Sequence, residues 1–152
     1  MCLETVHTNI GKQLTIRHLP ANELIKGWKV VSGINEPALL GVTSYHLTGL
    51  YARSLYFKKR WNKAEPHMLY DGQEPLYRTG FHVFAEEYSA DLYIDNEGPF
   101  AYIIPVYYKK KNIKTTGTQI KEVVFVLDEM YIKPKDYRRI FKQYKKDLQI
   151  IK

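Results

Sequence analysis

Tyr77-Arg-Thr-Gly-Phe-His-Val-Phe-Ala-Glu-Glu-Tyr-Ser-Ala-Asp-Leu-Tyr-Ile94, followed by Phe100-Ala-Tyr-Ile-Ile-Pro-Val-Tyr-Tyr108, is the stretch that decides the fold. Its return strand runs from Lys121 to Ile132. Gly80 to Phe84 alternates as a strand does. Ala85 to Ile94 then carries apolar or aromatic residues at 85, 88, 92 and 93, a helical spacing. Glu86 and Glu87 fall in its first turn, where they favour the helix dipole. Asp95 to Pro99 reads as a turn. Phe100 to Tyr108 is a nearly continuous apolar run and predicts a central strand, with Pro105 marking a bulge or an edge. Lys109 to Thr118 reads as a basic hairpin loop. Val123 to Val126 is a second core strand that continues to Ile132.

Outward from this centre the pattern weakens on one side and sharpens on the other. Leu14 to Leu19 alternates well enough for a short strand, stopped by Pro20. Ala21 to Ile25 reads as one helical turn, and Trp28 to Ser32 as a strand. Gly33 to Gly41 reads as a loop, Val42 to Tyr56 as either strand or helix, and Asn62 to Pro75 as a long polar loop. Beyond Pro134, Tyr137, Ile140, Phe141, Tyr144, Leu148 and Ile151 recur at steps of one to four, the signature of an amphipathic helix. The sum is a single α+β domain over residues 1–152. An antiparallel or mixed sheet of roughly five to seven strands packs against the C-terminal helix and one internal helix.

Composition narrows the function classes. The chain of 152 residues is long enough for a real core. Thirteen Tyr, six Phe and two Trp suit half-buried strands and ligand-facing walls. The net charge of +7 is uneven: residues 1–108 hold ten basic against eleven acidic side chains, and residues 109–152 hold thirteen against five. A one-sided positive field of this kind attracts anions such as nucleotides, nucleic acid or an acidic protein. The only cysteine, Cys2, excludes an intramolecular disulfide and fits a reducing compartment, so a cytoplasmic location is expected. No apolar run reaches membrane-spanning length, and the N-terminus lacks a signal-peptide core, so no membrane partner is expected. His7, His18, His46, His67 and His82 show no metal-ligand spacing, and no Gly-rich phosphate loop is present.

Several residues combine into a candidate ligand cleft: Tyr45, His46, Arg78 and His82. Arg78 precedes the central strand, where it could meet an anion. His82 lies beside an apolar strand, where a histidine is more often a hydrogen-bonded core or rim residue than a catalyst. Two aromatic-plus-basic patches, Tyr107-Tyr108 before Lys109, Lys110 and Lys111, and Trp61 after Lys58 to Arg60, suit stacking of a base with cations on its phosphate. Arg138, Arg139 and Lys142 extend the basic face along the C-terminal helix.

Gly80-Phe-His-Val-Phe-Ala-Glu-Glu-Tyr-Ser-Ala-Asp-Leu-Tyr93 resembles the strand-then-helix segment of ADP-ribosyltransferase-like domains. Glu122-Val-Val-Phe-Val-Leu-Asp128 resembles that family's late strand, which opens with a catalytic Glu, and Tyr45-His-Leu-Thr48 its first-strand His followed by a hydroxyl residue. The resemblance implies a transferase acting on NAD. His46, with Thr48 and Phe84 or Tyr88, would hold the nicotinamide nucleotide, and Glu122 would orient the acceptor and the ribose. A carboxylate there would stabilise an oxocarbenium-like ribose. The Met-Cys-Leu start, the Gly27-Trp-Lys-Val-Val31 segment and the late Met130-Tyr-Ile132 strand are also similar to small proteins of phages and their hosts, which often act by binding a nucleotide or a host protein.

Three functions therefore stand as expectations. The first is a non-catalytic phage-type protein without a cofactor that holds an anionic nucleotide-type small molecule, sequestering it or blocking a host defence factor. The second is the NAD-dependent transferase using His46 and Glu122. The third is an inhibitor that binds nucleic acid or a host protein through the basic C-terminal face. A homo-oligomer is a further expectation, because exposed aromatic strands pair across symmetric interfaces.

Overall fold

The structure is a computed structural model, and it describes residues 3–32, 60–64, 68–69, 77–78, 80–97 and 100–151. In chain order the elements are β1 (Thr5–Val6), α1 (Asn9–Ile16), β2 (Ile25–Ser32), β3 (Arg60–Lys63), β4 (Met68–Leu69), β5 (Tyr77–Arg78), β6 (Phe81–Phe84), α2 (Glu87–Tyr93), β7 (Ala101–Tyr108), β8 (Ile113–Gln119), β9 (Glu122–Leu127), β10 (Glu129–Ile132) and α3 (Pro134–Ile151). The class is α+β, with an eight-stranded antiparallel sheet in the order β1-β8-β9-β6-β2-β7-β10-β3. β4 and β5 form a separate pair.

The sheet order conceals a closure. β9 and β10 are separated only by Asp128, so they are one strand with a bend, yet they stand four places apart in the sheet. β9 pairs with β6, β6 with β2, β2 with β7, and β7 with β10, so the sheet rolls round until the two halves of this strand meet. The rings of Tyr108 in β7 and Phe125 in β9 are 6.2 Å apart with two strands between them. Across a flat sheet those strands would be about 14 Å apart. The backbone at the bend is fully used: Asp128 N–H donates to Asn112 O at 3.0 Å, and Asp128 O accepts from Ala64 N–H at 2.8 Å.

Alternation then sorts side chains to the inside and outside of the roll. Val31, Phe81, Val83, Ile104, Val106, Phe125, Leu127 and Met130 fill the inside. Leu3, Val30, Tyr77, Phe84, Val124 and Val126 form a second core outside, under Ala90 and Tyr93 of α2. α3 closes one end through Tyr137 and Ile140, and the Tyr102 hydroxyl of β7 donates to Asp147 Oδ2 at 2.5 Å. α1 stands over the other end, with Ile16 and the following Leu19 packed against the inner core.

Several expectations are corrected. The sheet has eight strands rather than five to seven. The expected strand at Leu14–Leu19 is instead the end of α1, because Thr8 caps a helix there and its Oγ1 accepts from Gly11 N–H. No helical turn forms at Ala21–Ile25, where the chain bends into β2. In α2 the buried residues are Ser89, Ala90 and Tyr93, while Tyr88 and Leu92 are exposed: small residues let the helix lie close to the sheet. Within the loop expected at Asn62–Pro75, Asn62 and Lys63 belong to β3 and Met68–Leu69 form β4. The expected basic loop after Lys109 is short, because Ile113 to Gln119 is β8 and the turn comes later, at Ile120-Lys121. Pro105 causes no bulge: it pairs with Trp28 in an unbroken register, and the register with β10 would set it beside Lys133, beyond that strand's end at Ile132. The ladder's missing donor therefore falls where β7 has an effective edge.

The turn between β8 and β9 has positive φ at both central residues, 49° at Ile120 and 63° at Lys121. This is the geometry of a two-residue hairpin turn that ordinarily selects Asn-Gly. The Glu4 carboxylate holds it, accepting from Ile120 N–H at 2.8 Å and Lys121 N–H at 3.4 Å. Gly27 faces the inside of the roll, where an added Cβ would lie 2.5 Å from Val83 Cγ1 and 2.9 Å from Tyr108 Cε1. Gly27→Ala is expected to cost about 1–3 kcal/mol by overpacking, read as a lower urea midpoint with an unchanged slope. Lys121→Gly is expected to add about 1 kcal/mol by removing left-handed strain, measured in the same urea titration.

Candidate functional site

The outer surface of the roll is divided. One half lies beneath α2. The other half carries a row of directly opposed residues fixed by register: Trp61 in β3 pairs with Tyr131 in β10, Tyr131 with Tyr107 in β7, and Tyr107 with Lys26 in β2. Opposed residues in an antiparallel sheet point to the same side. The row spans three interstrand steps, about 14 Å. Trp28, two residues along β2 from Lys26, continues the same face.

The rings are half-open to solvent. Trp61 is 44% exposed, and Tyr107, Tyr131 and Trp28 are intermediate. The Trp61 and Tyr131 rings meet edge-to-face with centroids 5.5 Å apart. Ammonium groups border them. Lys133 Nζ lies 4.5 Å from the Tyr107 ring centre, and Lys26 Nζ lies 5.5 Å from that of Trp28. Lys63 is exposed and pairs across the ladder with Glu129, the one carboxylate in the register of these strands. Large flat rings set among cations are what base stacking and phosphate attraction need.

The residues expected to form a cleft fall elsewhere. Tyr45, His46 and Thr48 lie outside the described residues, as does the side chain of Arg78, whose backbone belongs to β5. His82 is fully buried in the outer core. Its Nδ1 donates to Gly80 O at 3.1 Å, its Nε2 is hydrogen-bonded to the Tyr77 hydroxyl at 2.7 Å, and that hydroxyl accepts from Leu3 N–H at 3.1 Å. The chain of bonds joins the N-terminal segment to β5 and β6. Phe84 is also fully buried, against Tyr93 at 5.3 Å. Tyr88 points outward from α2 and is 67% exposed. His82, Phe84 and Tyr88 therefore share no open cavity.

Glu122 opens β9 and its Oε2 accepts from the Ser89 hydroxyl at 2.8 Å, tying α2 to the sheet. Lys109, Lys110 and Lys111 lie at the bend from β7 into β8, where Lys110 Nζ reaches Arg17 O at 3.5 Å. Arg138, Arg139 and Lys142 are exposed on α3, with Arg139 3.9 Å from Asp136. The helix packs on the inner side of the sheet, so these cations do not border the aromatic row.

Of the row, sequence reasoning singled out Trp61 and Tyr107 as separate patches and did not join them. Tyr131, Lys26 and Lys133 were missed, because only the register brings them to the same place. Among the described residues no helix is long and apolar enough to cross a membrane, and no group of three or more His, Cys, Asp or Glu is placed to hold a metal ion. Comparison with protein-family models, with curated proteins and with solved structures finds no match. His82→Leu is expected to lower stability by about 1–3 kcal/mol through loss of its buried bonds and to leave nucleotide or oligonucleotide affinity unchanged, checked by thermal melting beside a binding titration.

Proposed function

We propose that the protein is a non-catalytic binder of single-stranded nucleic acid, which it holds on the open outer half of the sheet. The observation that carries this reading is the unbroken row Trp61–Tyr131–Tyr107–Lys26, with Lys63 and Lys133 beside it. Successive bases stack on the rings, and the lysines meet the phosphates. Lys133, which sits over Tyr107 in the free protein, moves to a phosphate when a base takes its place. A row about 14 Å long accommodates about two or three nucleotides, so recognition is of ring faces and charge rather than of a long sequence. The reading keeps the anionic nucleotide-type ligand inferred from composition and moves it from the cleft expected near His46 and His82 to the sheet surface.

Fluorescence anisotropy with a labelled twelve-nucleotide oligothymidylate tests this. Trp61→Ala and Tyr131→Ala are each expected to weaken binding by about 1–3 kcal/mol, roughly 5- to 150-fold. Replacing Lys26 and Lys133 by Ala is expected to reduce the steepness of the salt dependence by about 0.7 in log–log slope per residue. If both ring variants bind like the parent while neutralising Arg138, Arg139 and Lys142 abolishes binding, the outer face of α3 is the interface and this assignment fails.

A further inference from the structure

Among the described residues, the end of the roll opposite α3 is covered on one side only, by the α1 segment. Ile25 begins β2, Tyr108 ends β7, Ala85 follows β6, and Val123 lies near the start of β9, so four strand ends meet there. With Phe125 below, and Thr15, His18 and Leu19 of the α1 segment to one side, they line a cleft of about 200 Å³. That volume equals about six or seven waters, enough for a single ring with a short arm. Mouths of rolled sheets are a recurring place for small-ligand sites.

The lining has a definite chemistry. Leu19, Ile25, Ala85, Val123 and Phe125 form apolar walls. Tyr108 is 1% exposed and its ring meets Phe125 edge-to-face. Gly27 leaves room for this ring, since an added Cβ would lie 2.9 Å from Tyr108 Cε1. Burial, with the Glu86 carboxylate adding to it, raises the Tyr108 phenol above its ordinary value, so the group is a neutral donor and acceptor at physiological pH. Glu86 is the N-cap of α2, but its side chain makes no capping bond and is turned to the cleft. Among the described residues no lysine or arginine lines the cleft.

We propose that this mouth is a second binding site, independent of the outer face, for a small organic cation: an amine on an aromatic or branched apolar body. The apolar body displaces water from Leu19, Ile25, Val123 and Phe125. The ammonium donates to Glu86 and to the Tyr108 hydroxyl and lies against aromatic ring faces, where a cation is favoured. A carboxylate or phosphate ligand would meet Glu86 unpaired, so the site discriminates against the anions that the lysine-bordered row attracts.

Methyl and amide NMR titration with benzylamine, benzyl alcohol and benzoate, three probes of nearly equal shape, tests the assignment. The expected result is a saturable shift of the Leu19, Ile25, Ala85 and Val123 signals with benzylamine, at an affinity at least tenfold above that of benzoate. Glu86→Gln, at an exposed position without a capping bond, is expected to reduce that preference to less than twofold while benzyl alcohol binds as before. Ala85→Trp fills the cleft and is expected to abolish all three shifts. Benzoate binding as well as benzylamine, shifts that map elsewhere, no saturable shift, or benzylamine affinity preserved in Ala85→Trp would each overturn the proposal.

Discussion

One strand serving two sets of neighbours is the constraint on which the rest of this structure depends. Residues 122–132 run as a single strand through Asp128, pairing with β6 and β8 in the first half and with β7 and β3 in the second. Both demands can be met only if the sheet rolls up. Asp128 carries the bend without an orphaned group. Its amide and carbonyl are paired across the bend, Asn112 Nδ2 donates to its Oδ1 at 3.1 Å, and Lys114 lies 3.6 Å from its Oδ2. From the closure follow an inside, an outside and two ends. Among the described residues α3 covers one end and α2 half of the outside, and the end that α1 covers in part and the other half of the outside are the two surfaces with chemistry to offer.

The long elements were legible in the sequence, and their junctions were not. β7, β9 and α3 announce themselves through uninterrupted apolar runs or helical spacing, because each buries a continuous face. α1 was hidden because the alternation over Leu14 to Leu19 suggested a strand and its apolar residues Ile10 and Leu14 are exposed at 73% and 56%, while the cap at Thr8 carried the true signal. β8 was hidden because Lys114, Thr115, Thr116 and Gly117 have loop-like composition. Thr115 to Gly117 are held by pairing with β9, Gly117 pairs with β1 as well, and Gly117 is required because a Cβ there would lie 2.1 Å from Thr5 O. The hairpin turn escaped notice because Ile-Lys is a poor turn pair rescued by Glu4, more than a hundred residues away.

The residue types of the proposed row were legible in the sequence, and their adjacency was not. Aromatic and basic residues together suggested stacking, but periodicity along one strand says nothing about which strand lies next to it. Tyr107 and Tyr131 are neighbours only because of the closure, and Tyr108, adjacent in sequence to Tyr107, points to the opposite side of the same strand. His82 shows the converse. A histidine in an apolar strand drew attention as a ligand, and its nitrogens are spent on Tyr77 and Gly80. Charge is separated in the same way: lysines border the outer row, the cations of α3 lie across the sheet, and the mouth presents a carboxylate.

The row also has a thermodynamic meaning. Lys26, Trp61, Tyr107 and Tyr131 come from four strands spread over more than a hundred residues of chain, so no local fragment can display it. A row that exists only in the assembled sheet binds the native state and ignores the unfolded one. Whatever occupies it therefore adds its full binding free energy to global stability, by RT ln(1 + [L]/Kd). Because so many pairings join distant residues, the sheet belongs to the slow-folding, high-contact-order class. An occupant that makes no contact with the core would thus protect the entire roll from opening, and the surface would report on the integrity of the whole fold.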